Sequence, residues 1–548
     1  MNALVPLPVL LPLCATGLSL AFGTRLGRFQ RFISVAVLSA VLALSVILMI
    51  AADRQGPLSV HLGDFAPPLG ITLVADRLSG LMLTVSSAVT LCVLVYSLGQ
   101  GMTDRDKETP LAVFHPAYLI LVAGVSCTFL AGDLVNLYVG FEIMLVASFV
   151  LLTLGGTGPR MRAGSTYVII SLFSSMLFLT AIAMTYAATG TANFAQLAER
   201  LADLPIGVQT LIQALLLTVF AIKAAVFPLA AWLPDSYPTA PAPVTAVFAG
   251  LLTKVGVYCM LRTETLLFPG NRLGDLLMAV ALASMVIGIL GAVAQTDLKR
   301  LLSFTLISHI GYMVFGIGLA TREAYGGAIV YVAHHITVQT TLFLVAGLIE
   351  RRGGTTELTR LGGLARAAPM LAVLFFVPAM NLAGIPPLSG FIGKLGLMRA
   401  GVADGGGWAW LLVAGSAATS LLTLYVVAKV WNLAFWRAAP PGQAATGTVL
   451  ESGDDSDDDA DAGPDRIRGT GDEGITPAHR PAGQAVAATL RAVTTTSRLP
   501  RTMVAATAAT IAIGLAFTVF ADPLTAYTDR TAAELLQRTP YVQEVLGR

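Results

Sequence analysis

Charge is what this sequence has least of. Asp, Glu, Lys and Arg make up only 12% of its 548 residues, while 55% are hydrophobic; a soluble domain carries about 25% charged residues. No soluble core hides that much apolar sequence, so a water-soluble globular protein is excluded. The signs nearly cancel, leaving a net charge of +2, which excludes bulk affinity for nucleic acid. The four cysteines, Cys14, Cys92, Cys127 and Cys259, show no CxxC spacing. They read as small buried hydrophobes, with no disulfide, Fe–S cluster or structural zinc expected. There is no Walker A loop, no GxGxxG after a strand and no CxxCH haem site. The chain thus shows no means of hydrolysing nucleotide or carrying electrons, and neither cofactor nor metal is expected. The first apolar run lacks a basic region ahead of it and reads as a membrane helix, not a cleaved leader.

What the chain has in abundance is apolar runs of about 20 residues, the length a helix needs to span hydrocarbon. The alternating segments of about ten residues that a membrane barrel requires are missing. The sequence therefore predicts an all-α integral membrane protein with about fourteen spans. The predicted organisation is an N-terminal three-helix segment (1–110), two five-helix units (111–262 and 263–437), a loop (438–500), and a last span with its tail (501–548). The loop carries an acidic run around Asp454–Asp461 and too little apolar surface to order itself. The tail after Asp522 reads as a short amphipathic segment. Basic residues cluster in alternate loops: Arg25, Arg28 and Arg31; Arg160 and Arg162; Lys299 and Arg300; Arg351, Arg352, Arg360 and Arg366. These loops are predicted to be cytoplasmic, and an even span count then leaves both termini outside.

Against that apolar background a few ionisable residues stand out. Lys223 lies in LTVFAIKAAVFPLAAWLPD, near Pro228, within a span predicted over 208–232; Lys394 lies in NLAGIPPLSGFIGKLG, after Pro386 and Pro387, within one predicted over 368–400. An amine in hydrocarbon is costly and marks function by default. Proline opens a helix locally, and the freed carbonyls can hold water. Gly390 and Gly393 would add local freedom beside Lys394. Broken helices with ionisable residues in corresponding places of two halves point to ion translocation. Because five is odd, tandem five-helix units must be inverted relative to each other.

Four more residues join them. Glu142 sits mid-span in LVNLYVGFEIMLVASFVLL and reads either as a tie between helices or as a carboxylate that sets the charge state of a lysine. Lys254 sits in FAGLLTKVGVYCM, a third amine on a third helix. The three lysines suggest a line of protonatable stations. His334 and His335 are adjacent, so they point about 100° apart; a proton relay and simple packing are both open to them. His309 reads as a bundle hydrogen-bonder, and Asp235 as a cap or turn in a Pro-rich loop.

The segments AIKAAVFPLAAWLPDSYPTAPAPVTA with LLTKVGVY, QTDLKRLLSFTLISHIGYM and NLAGIPPLSGFIGKLG resemble one known family, the antiporter-like membrane subunits. It includes the Mrp-type Na⁺/H⁺ antiporters and the proton-pumping membrane subunits of respiratory complex I. The resemblance covers most of residues 110–435. It implies fourteen helices with inverted five-helix repeats, broken at helices 7 and 12. It also implies that Glu142 and Lys223 form a pair, that Lys254 is the connecting lysine, and that Lys394 is the terminal lysine of the second half. Lys254 and Lys394 together point to the Mrp branch. The function implied is proton translocation along buried Glu, Lys and His residues in a multi-subunit Na⁺/H⁺ antiporter of the cell membrane. Its partners would be other membrane subunits, H⁺, Na⁺ and the bilayer. The alternative is a subunit of a complex I-like oxidoreductase or membrane-bound hydrogenase. One departure stands out: Gln339 occupies a position where the family often has lysine, and Gln cannot carry a proton as a charge.

Overall fold

The computed structural model describes residues 1–22, 29–100, 111–438 and 499–548. In chain order its long helices are α1 (Leu7–Phe22), α2 (Phe29–Gln55), α3 (Arg77–Gln100), α4 (Leu111–Leu130), α5 (Leu134–Thr153), α6 (Gly158–Thr189) and α7 (Ile206–Ala224). They continue with α8 (Ala242–Leu266), α9 (Gly274–Ala294), α10 (Leu298–Leu319) and α11 (Arg322–Gly353). Next come two shorter helices, α12 (Pro369–Ala383) and α13 (Ser389–Asp404). α14 (Gly407–Trp436) and α15 (Arg501–Val519) complete the membrane set. Two amphipathic helices, α16 (Ala521–Gln537) and α17 (Thr539–Leu546), form the tail.

Among the described residues, thirteen helices are long and apolar enough to cross a bilayer. α12 and α13 have 15 and 16 residues, about 23 Å each, and are read together as one broken crossing. The acidic run of the predicted 438–500 loop lies outside the described residues. The fold is all-α apart from one short hairpin, in which β1 (Leu58–His61) and β2 (Thr72–Ala75) pair antiparallel between α2 and α3. Two other expectations need correction. The seventh span does not continue to 232: α7 stops at Ala224 and the chain turns through residues 225–232. Cys14 is exposed on α1, not buried.

The helix ends define two faces. On one, Arg160 Nε donates to the Thr239 carbonyl (3.3 Å), Arg300 pairs with Asp235 (3.1 Å) and Lys299 with Glu350 (2.6 Å). This is the face of the basic loops. On the other, the hairpin meets the tail, with the Ser59 N–H donating to Glu544 (3.2 Å), and Arg548 pairs with Glu199 (3.1 Å). Arg77 joins Asp53 (2.9 Å) and Glu534 there, tying α16 to α2 and α3, and Arg262 pairs with Asp76 (2.6 Å), tying α8 to the start of α3.

One capping arrangement occurs on both faces. Asp133 caps α5, accepting from the Asn136 N–H (2.7 Å), and bridges to Asn193. Asp297 caps α10, accepting from the Arg300 N–H (2.9 Å), and bridges to Glu357. The Leu134 N–H donates to the Ala192 carbonyl and the Leu298 N–H to the Thr356 carbonyl, each at 2.9 Å. Each cap satisfies an amide that the helix itself leaves unpaired.

The most enclosed helices are also the most polar inside. α8, α10 and α11 are surrounded by others over nearly their whole apolar length, whereas α2, α6 and α15 are mostly peripheral. Phe173, Met176, Leu421 and Val519 are exposed on the periphery, as expected of side chains that meet lipid. α8, α10 and α11 carry Lys254, His309, His334 and His335, each fully buried. Lipid cannot satisfy such groups, so they lie where other helices can.

Candidate translocation site

The first break is set by Pro228. Its ring lacks an N–H and clashes with the carbonyl four residues back, and α7 ends at Ala224. Ala225 takes the left-handed conformation (φ +56°), and its N–H donates to the Ile222 carbonyl. Lys223 therefore sits in the last turn of α7, not inside a continuous span. That places its amine at the negative end of the helix dipole, which favours a cation. Lys223 is part-buried and lines a cavity of about 30 Å³ with Phe141, Met144, Tyr167, Ser171 and Tyr237, room for about one or two waters. On the far side of the break, Pro228 and Phe227 line a larger cleft of about 330 Å³ against α9 and α10, with Asp235 and Arg300 at its rim.

Lys223 and Glu142 are near but not joined. The ammonium lies 5.6 Å from the centre of the Phe141 ring, the residue preceding Glu142. Glu142 is part-buried with Oε1 unpartnered, and the two form no salt bridge among the described residues. Val135, Val139 and Val146 share the helical face of Glu142 and are exposed. That face looks out of the subunit.

Lys254 is held differently. Just before it, α8 widens into a π-helical turn over Phe248–Leu252, which frees carbonyls from the regular ladder. The Lys254 ammonium donates to one of them, the Ala249 carbonyl, at 2.6 Å.

The second break repeats the rule of the first: α12 ends at Ala383, four residues before Pro387. Lys394 belongs to the following helix and reaches back, donating to the carbonyls of Leu382 (3.2 Å) and Ala383 (3.0 Å). The freed carbonyls thus bind the lysine itself. Its ammonium also lies 5.0 Å from the centre of the Tyr312 ring. Gly390 and Gly393 do not act as flexible points. A Cβ on Gly390 would collide with the Asn381 carbonyl oxygen, and one on Gly393 would come within 2.9 Å of the Tyr331 ring, so both permit close packing.

The two histidines diverge as their spacing requires. His334 Nδ1 bonds the Ser389 hydroxyl (2.9 Å) at the start of α13. His335 turns to α10, its ring 5.2 Å from that of His309, and neither of its nitrogens has a partner among the described residues. His309 Nδ1 meets the Tyr331 hydroxyl at 2.5 Å. The ring of Tyr331 lies 5.3 Å from that of Tyr312, which faces Lys394. Imidazoles and phenols so arranged can accept and donate protons. His309, Tyr331 and Tyr312 belong to this cluster although the sequence marked only His309, and only as a hydrogen-bonder within the bundle, a bond it makes to Tyr331. Their signal lies in contacts between α10 and α11, which no local pattern records. Gln339 donates to the Leu302 carbonyl (2.8 Å) and leaves Oε1 without a partner among the described residues.

Residues 131–423 match the family described as NADH:quinone oxidoreductase/Mrp antiporter, TM. The chain is 42% identical to the D subunit of the Na(+)/H(+) antiporter of Alkalihalophilus pseudofirmus, over 80% of this chain and 87% of the relative. It is 36% identical to the protein of the same description from Bacillus subtilis, over 80% and 87% of the two chains. Among solved structures, a chain of the Mrp complex from Dietzia sp. DQ12-45-1b superposes with a TM-score of 0.83 at 31% identity, over 100% of both chains. A chain of the membrane-bound sulfane sulfur reductase, an archaeal respiratory membrane complex, superposes with a TM-score of 0.80 over 100% of both chains. At 21% identity that second likeness speaks to fold alone.

Proposed function

The chain belongs to the NADH:quinone oxidoreductase/Mrp antiporter transmembrane family, and from that premise we propose that it is the D-type, proton-translocating membrane subunit of a multi-subunit Na⁺/H⁺ antiporter. One observation carries the reading. Two lysines sit at the dipole-negative ends of two broken helices, with a third lysine and an imidazole–phenol cluster on the enclosed helices α8, α10 and α11. A redox-driven subunit would share this fold. The extent of identity to antiporter subunits of the D type favours the antiporter.

The roles we assign follow from the contacts. Glu142 tunes Lys223 through a separation that can close. Lys254 passes the proton sideways to His335, His309 and Tyr331. Lys394 exchanges it at the second break, and His334 fixes the start of α13. Pro228, Pro386 and Pro387 keep the two breaks open. The outward-looking face of Glu142 is read as a contact surface for another membrane subunit, so that Glu142 reports the state of a neighbour. The basic-loop face is cytoplasmic and the α16–α17 face external, in the plasma membrane. The five-helix units 111–262 and 263–437 are inverted repeats, a reading supported by the matching Asp133 and Asp297 caps on opposite faces.

The test is Na⁺-driven proton flux in vesicles that contain the whole complex. Lys223→Ala is expected to abolish it while the complex still assembles. Wild-type exchange by an assembled Lys223→Ala complex would refute the role of the first break.

A further inference from the structure

The external ends of α7 and α8 hold a carboxylate that the path above does not use. Glu264 is 5% exposed and pairs with no cation among the described residues. Its only hydrogen bonds among those residues come from Gln213 on α7, whose Nε2 donates to both carboxylate oxygens at 3.1 and 2.9 Å. Gln213 is itself 1% exposed, and its Oε1 has no partner among the described residues. Gln213 lines a cavity of about 140 Å³ beside Gln209, Phe268, Arg272 and Arg538. Arg272 is anchored on Gln209 Oε1 (2.7 Å) and Arg538 on the Leu266 carbonyl (3.3 Å). From α11, Tyr325 lies within electrostatic reach of the carboxylate. Lys223 follows Gln213 by ten residues and Lys254 precedes Glu264 by ten, about 15 Å along each helix.

We propose, resting on the antiporter reading, that Glu264 is the external proton-exchange carboxylate of the first half, with Gln213 as its switch and Arg272 and Arg538 as a barrier to Na⁺. A side-chain amide has two faces of opposite character. While Glu264 is ionised, Gln213 gives it the N–H groups, as seen, and its carbonyl is left free to take a proton donor. When hydronium in the cavity transfers its proton to a carboxylate oxygen, water is left behind. The new O–H then donates to the Gln213 carbonyl, and the amide turns its N–H groups outward. Release runs the same exchange backwards. Two guanidinium groups beside the cavity raise the energy of any cation there, a penalty that the O–H bond formed at Glu264 offsets for a proton and that Na⁺, with a single carboxylate for a ligand, has nothing to offset. The bland alternative is that Glu264 and Gln213 simply tie α7 to α8.

The experiment uses the complete complex in proteoliposomes and a hydrophobic carbodiimide, which modifies carboxyl groups that can hold a proton. Peptide mapping is expected to find Glu264 labelled, with labelling unaffected by external Na⁺. In the Arg272→Gln/Arg538→Gln variant, external Na⁺ should slow it. Glu264→Gln keeps an amide able to bond Gln213 and so preserves a mere tie, but it should cut Na⁺-driven proton flux about tenfold or more; Glu264→Asp should recover most of it. An unlabelled Glu264, or wild-type flux in Glu264→Gln, overturns the proposal. Should Glu264→Gln fail to assemble, labelling of the wild type decides alone. A wild-type complex with no Na⁺-driven flux would instead refute the antiporter reading, and the labelling would still test Glu264.

Discussion

At the first break the lysine belongs to the helix that ends; at the second it belongs to the helix that begins. Both α7 and α12 stop four residues before a proline, and both breaks place an amine at the negative end of a helix dipole. The difference is in how the amine is held. Lys394 is 3% exposed and bound by two carbonyls. Lys223 meets a ring face and a water-sized cavity, with no carbonyl or carboxylate bound to it among the described residues. One site is anchored and the other is loose. A loose amine responds to a nearby charge such as Glu142 with little rearrangement, whereas an anchored one must first give up hydrogen bonds. The first break is therefore the better sensor, and the second the better terminus.

The largest expected effect separates the two lysines by stability, not by activity. Lys223→Ala and Lys394→Ala should each abolish Na⁺-driven proton flux. Lys394→Ala should also destabilise the protein by about 1–3 kcal/mol, because the Leu382 and Ala383 carbonyls lose their partner. Lys223→Ala breaks no such bond and should cost only about 0.5–1 kcal/mol, from the lost ring contact and dipole interaction. Thermal unfolding of the purified complex would show it. Equal losses in the two variants would erase the distinction between anchored and loose.

The histidines sharpen the same contrast within the second half. His335 faces His309 with both nitrogens unpartnered, while His334 is bonded to Ser389. His335→Ala should reduce flux about 10²-fold and lose only the stability of the cavity it opens. His334→Ala should cost less flux and more stability, since it leaves the α13 start without its bond. Flux and melting temperature measured on both variants would check this, and a reversed order would move the relay to the α13 side.

Much of this was legible in the sequence, for a simple reason. A lysine in an apolar run has few structural excuses, so Lys223, Lys254 and Lys394 stood out without any structure. The place where α7 ends was also available, since the proline clash falls on the residue four back, yet the apolar run continues through 232 and masks it. His309 was legible as a hydrogen-bonder within the bundle but not as a member of the cluster. Its meaning lies in a meeting with His335 and Tyr331 across two helices, and nothing in HIGYM marks it. Glu264 was hidden likewise: a carboxylate near a span end reads as solvated until burial and Gln213 show otherwise. The π-helical turn before Lys254 is a backbone event with no residue signature in FAGLL.

The smallest expected effect concerns the residue that closes each broken helix. Both caps are left-handed: Ala225 after α7 at φ +56° and Gly384 after α12 at φ +85°. The conformation favours glycine, which has no Cβ to strain. At the second break the glycine also makes room, since a Cβ there would come within 3.0 Å of Lys394 Cδ. Gly384→Ala should therefore cost about 1–2 kcal/mol from the backbone alone, and should lower flux by pushing on the lysine stem. At the first break the natural residue already bears that strain, so Ala225→Gly should relieve part of it. The gain should stay below about 1 kcal/mol, because glycine adds freedom to the unfolded chain, and flux should be unaffected at saturating Na⁺. Melting temperatures of the two variants, shifted in opposite directions, would bear this out. Should Ala225→Gly instead lower flux, the stiffness of the first cap would itself be part of how Lys223 is positioned, and the first break would be less loose than its hydrogen bonds suggest.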